Sequence, residues 1–558
     1  MRRLTLAMLA ATAFAGLANA ADLPTKKAVE APPPKPNCWA SLWTWMNSSP
    51  DDCPIGAYGI TLYGTLDVGY GYQDWGTTKN PSADKVNYGI QKSGHEHIWQ
   101  SVYNGISTSV VGLKMKEDLA PIGLTGWSLV GVLEAGVNPY SGVFTNPVRS
   151  LADNNVNAAN GQVKINGKTY WRYQTANFDS SRNGSWDNSQ GYAGISHKTW
   201  GTLTFGRTNS LSNDTQSKYD PISGSQAFSL IGFSSSFPGF GDTQLARINT
   251  ALTYKVAIPS VWAFSAVRLA GQAQIGGYGV QNGSNGAYYG QVGFDWGNLS
   301  FDGVVGWAKD AVSLSSFGGS NIAQCYGNWY IKVNNVCYDP NAVLKATLSN
   351  NFGTELMASY KWDAFKFYGG YIYARLSNPS DQYLTGFRTN YPEIIVPPGY
   401  FNKGVYVNDA ITTNPYTFNK VLQTVWTGVR LTVPDAWLHG WGSLELAAAF
   451  YYQWQNNYNF TVNKYGAAVS AACTGSGPGI SSSKCYGTQD AVSFFADWKP
   501  VKRVDIYAGI MISNVYGGLA NGFITTNPYF NPVTKQVAIA QHAITQNYDP
   551  TIGIRIRF

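Results

Sequence analysis

From residue 60 onward, apolar and polar positions alternate with a period of two. That is the mark of strands whose two faces meet different surroundings. The last eight residues are the plainest instance: Ile552, Ile554, Ile556 and Phe558 fall on one side, Arg555 and Arg557 on the other. Similar runs span 60–72, 106–117, 124–137, 191–198, 202–208, 246–257, 262–275 and 287–296. Others span 299–308, 354–362, 365–376, 422–433, 443–454, 491–499, 504–515 and 551–558. The pattern predicts about sixteen strands.

The connections between these runs alternate in length. Segments 118–123, 200–201, 297–298, 363–364, 434–442 and 500–503 are short, whereas 141–190, 209–245, 310–352, 377–421 and 455–490 are long. Transmembrane barrels keep short periplasmic turns and long external loops, and a soluble sandwich has no reason to segregate them. Alternation by itself would also fit a soluble sugar-binding sandwich with an isoleucine core. Loop segregation favours an all-β, transmembrane antiparallel barrel over residues 58–558, with isoleucines toward lipid and arginines toward the lumen.

Composition and the first residues agree with export to a membrane. Aromatics make up 14% of the chain and charged residues only 13%, about half the usual share in soluble domains. Residues 1–20 read as a signal peptide: Arg2 and Arg3, an apolar middle, then Ala18-Asn19-Ala20. Its removal would take the formal charge from +7 to +5, since it carries two arginines and no acid. No dense Lys/Arg run suggests a nucleic-acid partner. Residues 21–57 form a separate leader with Lys26-Lys27, Pro32-Pro33-Pro34-Lys35-Pro36 and two cysteines. An even-stranded barrel has both ends on one side, so the leader is expected in the periplasm or tucked into the pore mouth. Trp39, Leu42, Trp43 and Met46 could share a face of a short helix, with Trp39 and Trp43 packed on the barrel.

Six cysteines fall into local pairs: Cys38 with Cys53, Cys325 with Cys337, and Cys473 with Cys485. In an oxidising compartment these read as disulfides closing short loops. Zinc is the competing reading, but no C-x-x-C occurs and the histidines lack ligand spacing. Gly161 to Thr169 nearly spells a phosphate-binding loop, with one residue too many between its glycines. Ile165-Asn166-Gly167-Lys168 reads better as a hairpin turn. His95 and His97 flank Glu96 in a first loop, where solvation is the simpler account than a metal. A barrel enzyme of the phospholipase or protease type is the rival class, yet no Gly-x-Ser-x-Gly is present. No cofactor and no bound metal is expected.

Several segments, in order along the chain, resemble the general, trimeric porins of Gram-negative proteobacteria. They are Ile60-Thr-Leu-Tyr-Gly-Thr-Leu-Asp67, Val111-Gly-Leu-Lys-Met-Lys-Glu-Asp-Leu119, Leu133-Glu-Ala-Gly-Val137 and Tyr192-Ala-Gly-Ile195. Further on come Trp200-Gly-Thr-Leu-Thr-Phe-Gly-Arg207, Asp220-Pro221, Arg247-Ile-Asn-Thr-Ala-Leu-Thr-Tyr254 and Lys502-Arg-Val-Asp-Ile-Tyr507. The resemblance implies a sixteen-stranded barrel, usually a homotrimer, with the third loop folded inward to narrow a water-filled pore for small hydrophilic solutes. Outer-membrane lipid and lipopolysaccharide would surround it. Phe558 resembles the signal read by barrel assembly machinery. A substrate-specific sugar channel is the nearer alternative. Two departures stand out: Val110 and Ser189 occupy positions where many porins carry arginine, and Pro238-Gly-Phe-Gly-Asp242 lacks the glutamate of the family's loop motif.

Parity then assigns the charges. Lys114, Arg247 and Arg207 are the expected basic side of the constriction, although Arg207 shares parity with lipid-facing Leu203 and Phe205. Ile248, Leu252 and Tyr254 are read as facing lipid. Asp214, Asp220 and Asp242 are the expected acidic side. Asp67, Arg268, Lys366, Arg430, Arg555 and Arg557 are expected to line the lumen.

Overall fold

Sixteen antiparallel strands succeed one another around a closed sheet in the computed structural model. It describes residues 37–73, 98–140, 142, 144, 161–165, 168–174, 189–225, 227–233, 247–275, 286–315, 317–318, 331–333, 336–338, 344–378, 388–389, 406–407, 411–412, 417–458, 485–517, 524–531, 536–543 and 546–558. In chain order the strands are β1 (Ile60–Gln73), β2 (Ile98–Tyr103 and Val110–Asp118), β3 (Trp127–Gly136), β4 (Gln190–His197), β5 (Gly201–Asn209), β6 (Arg247–Val261), β7 (Phe264–Gln274) and β8 (Gly286–Trp296). The second half comprises β9 (Leu299–Ser315), β10 (Leu344–Trp362), β11 (Phe365–Ser377), β12 (Lys420–Val433), β13 (Ser443–Gln455), β14 (Gly487–Val501), β15 (Val504–Gly517) and β16 (Gln546–Arg557). Each of the sixteen predicted runs is one of these strands.

Closure joins β16 to β1 through pairs such as Leu66 with Ile556 and Val68 with Ile554. Gly64 and Phe558 exchange backbone hydrogen bonds of 3.0 Å at the end of this seam. The Phe558 ring occupies the space of a side chain at position 64, where a Cβ would lie 2.3 Å from it. Glycine is what lets that ring sit there.

The faces are inverted relative to a soluble protein. Ile552, Ile554 and Ile556 are exposed, while Arg555 and Arg557 turn inward onto fully buried Asp505 at 2.9 and 3.1 Å. Asp302 and Glu355 are likewise fully buried. A soluble sandwich would bury the isoleucines and expose the carboxylates; a lipid-embedded wall around a polar lumen does the reverse. The short-turn end carries exposed Trp200, Trp262, Trp296, Trp362 and Trp441, as at a membrane interface. Trp296 pairs with Leu299 and Trp362 with Phe365, so two-residue turns link these strands, with Gly297 and Asp363 in the left-handed region.

Two local departures revise the predicted strands. The run expected from residue 106 begins as a ladder only at Val110, because β2 breaks over residues 104–109. Asp67 holds the break: its Oδ2 accepts the Ile106 and Ser107 amides at 2.8 Å, and its Oδ1 accepts the Tyr507 hydroxyl at 2.6 Å. On β6, the register slips between Ile248 and Ala251, with Thr250 at φ +50°. The extra residue of this bulge reverses parity. Ile248, read as lipid-facing, is therefore fully buried, while Leu252 and Tyr254 remain outside.

The leader docks through residues other than the tryptophans expected to hold it. Ser41 caps the short helix α1 (Leu42–Met46), and a disulfide joins Cys38 to Cys53. Arg503, in the β14–β15 turn, grips this loop. Its Nε donates to the Trp45 carbonyl at 2.8 Å and Nη2 to the Cys53 carbonyl at 2.6 Å, with the guanidinium 4.1 Å from the Trp45 ring centroid. Trp39 and Trp43, expected on the barrel, are exposed instead. Cys485 is also disulfide-bonded. Cys325 and Cys473 lie outside the described residues, as does the side chain of Cys337. Ile165 pairs with Lys168 in a hairpin, as the Asn-Gly turn predicted.

Candidate functional site

The connection after β5, the third long loop, runs inside the barrel. It opens with α2 (Leu211–Gln216), capped by Ser210. Leu211, Tyr219, Phe228, Leu230 and Ile231 are fully buried. An apolar loop inside a polar lumen must satisfy its backbone against the wall, and the far wall supplies the partners. Ser212 Oγ donates to Glu355 on β10 at 2.7 Å. Lys218 pairs with Asp302 on β9 at 3.1 Å, and the Tyr219 hydroxyl bonds the same carboxylate. From β12, Trp426 Nε1 donates to the Tyr219 carbonyl at 2.9 Å, and Arg430 Nε donates to that of Pro221 at 2.9 Å. Ser493 on β14 donates to the Phe228 carbonyl at 2.6 Å, and the Phe228 ring packs against Phe495 and Tyr507. The loop then reaches the β2 break, where Gly105's carbonyl accepts both Ser225 Oγ at 2.7 Å and the Ala227 amide at 2.9 Å.

Apart from this contact at the β2 break, the anchors hold the loop against β9–β15, and a space remains beside the other wall. A cavity of about 360 Å³ lies between the loop and the β2–β6 wall. The loop contributes Asn213, Asp214, Gln216, Ser217, Ser223 and Gly224. The wall contributes Ile106, Ser107, Thr108, Val110, Glu134, Gln190, Asn209 and Arg247. Most of this lining is amide or hydroxyl. Its charges are Glu134, Asp214 and Arg247.

Placement of the predicted residues is mixed. Arg247 and Asp214 line the gap together, and Asp214 bonds Asn209 at 2.8 Å and Lys255 on β6. Lys114 stands beside it, 4.5 Å over the Tyr63 ring whose hydroxyl donates to Glu134 at 2.8 Å. Asp220 does not face the gap: it is buried and accepts the Tyr451 hydroxyl at 2.6 Å and the Gly224 amide at 2.6 Å, fixing its own turn. Nor does Arg207, which is buried at the wall with Nε on the Ser189 carbonyl at 3.2 Å and Nη1 on Asn249 at 2.8 Å. Asp242 lies outside the described residues.

The other lumenal charges are engaged in the wall. Arg268 bridges Asp295 and Asp302, Arg430 also pairs with Glu445 at 3.5 Å, and Lys366 lies over the Tyr368 ring. Glu134 and Lys255 were not among the predicted site residues. Parity could have found both. Leu129 and Leu133 face lipid, so Glu134 faces the lumen, and Lys255 follows lumenal Thr253 by two positions.

A closed barrel with an inverted surface and an internal loop flanked by a polar gap is the architecture of a diffusion channel. The family model for Gram-negative porins matches residues 5–392, and the chain belongs to that family. It is an outer-membrane channel through which small hydrophilic solutes diffuse passively. No curated protein matches it. Among solved structures it is similar to OmpT of Vibrio cholerae in its trimer form, at 12% identity over 89% of this chain and 99% of that one, with a TM-score of 0.42. OmpF of Salmonella typhi shows 11% identity over 90% and 100%, TM-score 0.39. DcaP of Acinetobacter baumannii shows 11% over 89% and 97%, TM-score 0.38.

Proposed function

We propose that solutes cross the barrel through the gap between the third loop and the β2–β6 wall, and that Arg247 and Asp214 are its constriction charges. The observation that carries this reading is the polar, amide-rich cavity left between the loop and the β2–β6 wall while most of the loop's anchors lie on β9–β15. Arg247 and Lys255 come from the wall, Asp214 from the loop; opposed charges across a narrow aqueous space bias ion traffic, and low-dielectric walls focus their field. With Val110 and Ser189 in place of arginines, the basic side is weak, so size governs passage more than charge. The barrel acts as a channel and not as an enzyme. It works as a homotrimer in lipopolysaccharide-bearing membrane, with the leader on the periplasmic side.

Replacing Arg247 with Glu tests the path. In a planar bilayer under a salt gradient, the reversal potential moves toward cations, most at low ionic strength where screening is weakest. Lys403→Glu, in a long loop, moves it much less. Equal shifts from the two substitutions would refute the proposed path.

A further inference from the structure

We infer that Glu134, a carboxylate on the wall itself, is the residue that sets the channel's weak ion preference by cancelling the wall's cations. This rests on the gap being the path. The wall strands present Arg247 in the gap, Lys255 beside it on Asp214, and Lys114 over Tyr63. A row of three cations facing one loop acid would favour anions. Glu134 interrupts that row.

Its side chain is held by polar partners from the wall. Three donors converge on the carboxylate: Tyr63 Oη on Oε2 at 2.8 Å, Ser189 Oγ on Oε1, and Gln190 Nε2 on Oε1 at 3.4 Å. An ionised carboxylate accepts and does not donate; the Gln190 amide N–H can only donate to it, and both hydroxyls are able to, so the three partners accommodate the charged form. Only 9% of Glu134 is exposed, and that remainder lies on the gap. The donors come from β1, from the entry to β4 and from β4 itself, so neighbouring strands hold the charge in register with Arg247. Ser189 stands where many porins carry arginine; here it is a hydroxyl donor to the acid. Together, Glu134 and Asp214 oppose Arg247, Lys255 and Lys114, leaving an excess of one cation.

A unit charge about 5 Å from a permeating ion in water biases it roughly fourfold. Glu134→Gln relieves the anion and releases the cation by that factor each, so it should raise the anion-to-cation permeability ratio by up to about sixteenfold. Glu134→Asp, which keeps the charge, should return it toward the original value. Val110→Glu, on an adjacent gap position free of the donor shell, should shift it toward cations, and it supplies the reading if Glu134→Gln fails to assemble. Reversal potentials in a planar bilayer report all three, with heat-modifiable migration confirming folded barrels. If Arg247→Glu moves the reversal potential but Glu134→Gln and Val110→Glu do not, the inference falls while the path stands. If none of them moves it, the path itself is wrong.

Discussion

The lumen has two walls of different character. Strands β7–β15 carry Arg268, Arg430, Asp302 and Glu355, all engaged with each other or with the third loop. Strands β2–β6 carry Arg247 and Glu134, which line the gap, and Lys255, which pairs with the loop's Asp214; Glu134 is held by Tyr63, Ser189 and Gln190 of the same wall. Both sets point inward. The difference shows that facing a lumen and acting on its contents are separate properties. The covered wall positions the loop; the open wall meets the solute.

The comparison can be broken most severely at Asp302. Asp302→Ala removes the acceptor shared by Arg268, Lys218 and Tyr219, leaving Arg268 on Asp295 and Tyr219 on Ser300. Removing one partner of a buried ion pair costs about 3–5 kcal/mol. Denaturant unfolding in detergent should register that loss, and single-channel current should become noisier as the loop loosens. A quiet channel of unchanged stability would mean that the covered wall does not hold the loop.

A smaller effect is expected from Trp426→Phe, which deletes the indole donor to the Tyr219 carbonyl and trims the ring that fills the space over Gly370. It should cost roughly 1–3 kcal/mol, the price of one unsatisfied buried acceptor, with little change in ion preference. Unfolding midpoints and reversal potentials separate the two outcomes.

The smallest stability change should come from the open wall. Lys255→Gln removes a half-exposed partner of Asp214, worth at most about 1 kcal/mol. Yet it should shift reversal potential toward cations, since Asp214 is then uncompensated. A stability loss matching that of Asp302→Ala, with no change in selectivity, would erase the distinction between the walls.

The fold was largely legible in the sequence because strand parity and loop length are local properties. Ile552, Ile554 and Ile556 announce their face without reference to any distant residue. The site was legible only where parity ran unbroken. It failed at Ile248, where the Thr250 bulge adds a residue that alternation cannot reveal. It failed at Asp220, because a loop has no periodicity to say that the carboxylate folds back onto Gly224 and Tyr451. In the leader, Trp39, Trp43 and Trp45 are equivalent by composition, and only the position of Arg503, more than four hundred residues away, selects Trp45. Glu134 was readable from the flanking leucines, but its partners Tyr63 and Ser189 belong to other strands and are joined to it only by the closed sheet.

The most direct test of the path is a steric one. Ser217 is an exposed loop residue lining the gap, and no free cysteine competes for a thiol reagent among the described residues. A Ser217→Cys channel recorded in a planar bilayer should lose much of its single-channel conductance when a bulky thiol-reactive label is added, and regain it when the label is reduced off. Unchanged conductance with a fully labelled Ser217→Cys channel would contradict the account, because solutes would then be passing elsewhere through the barrel.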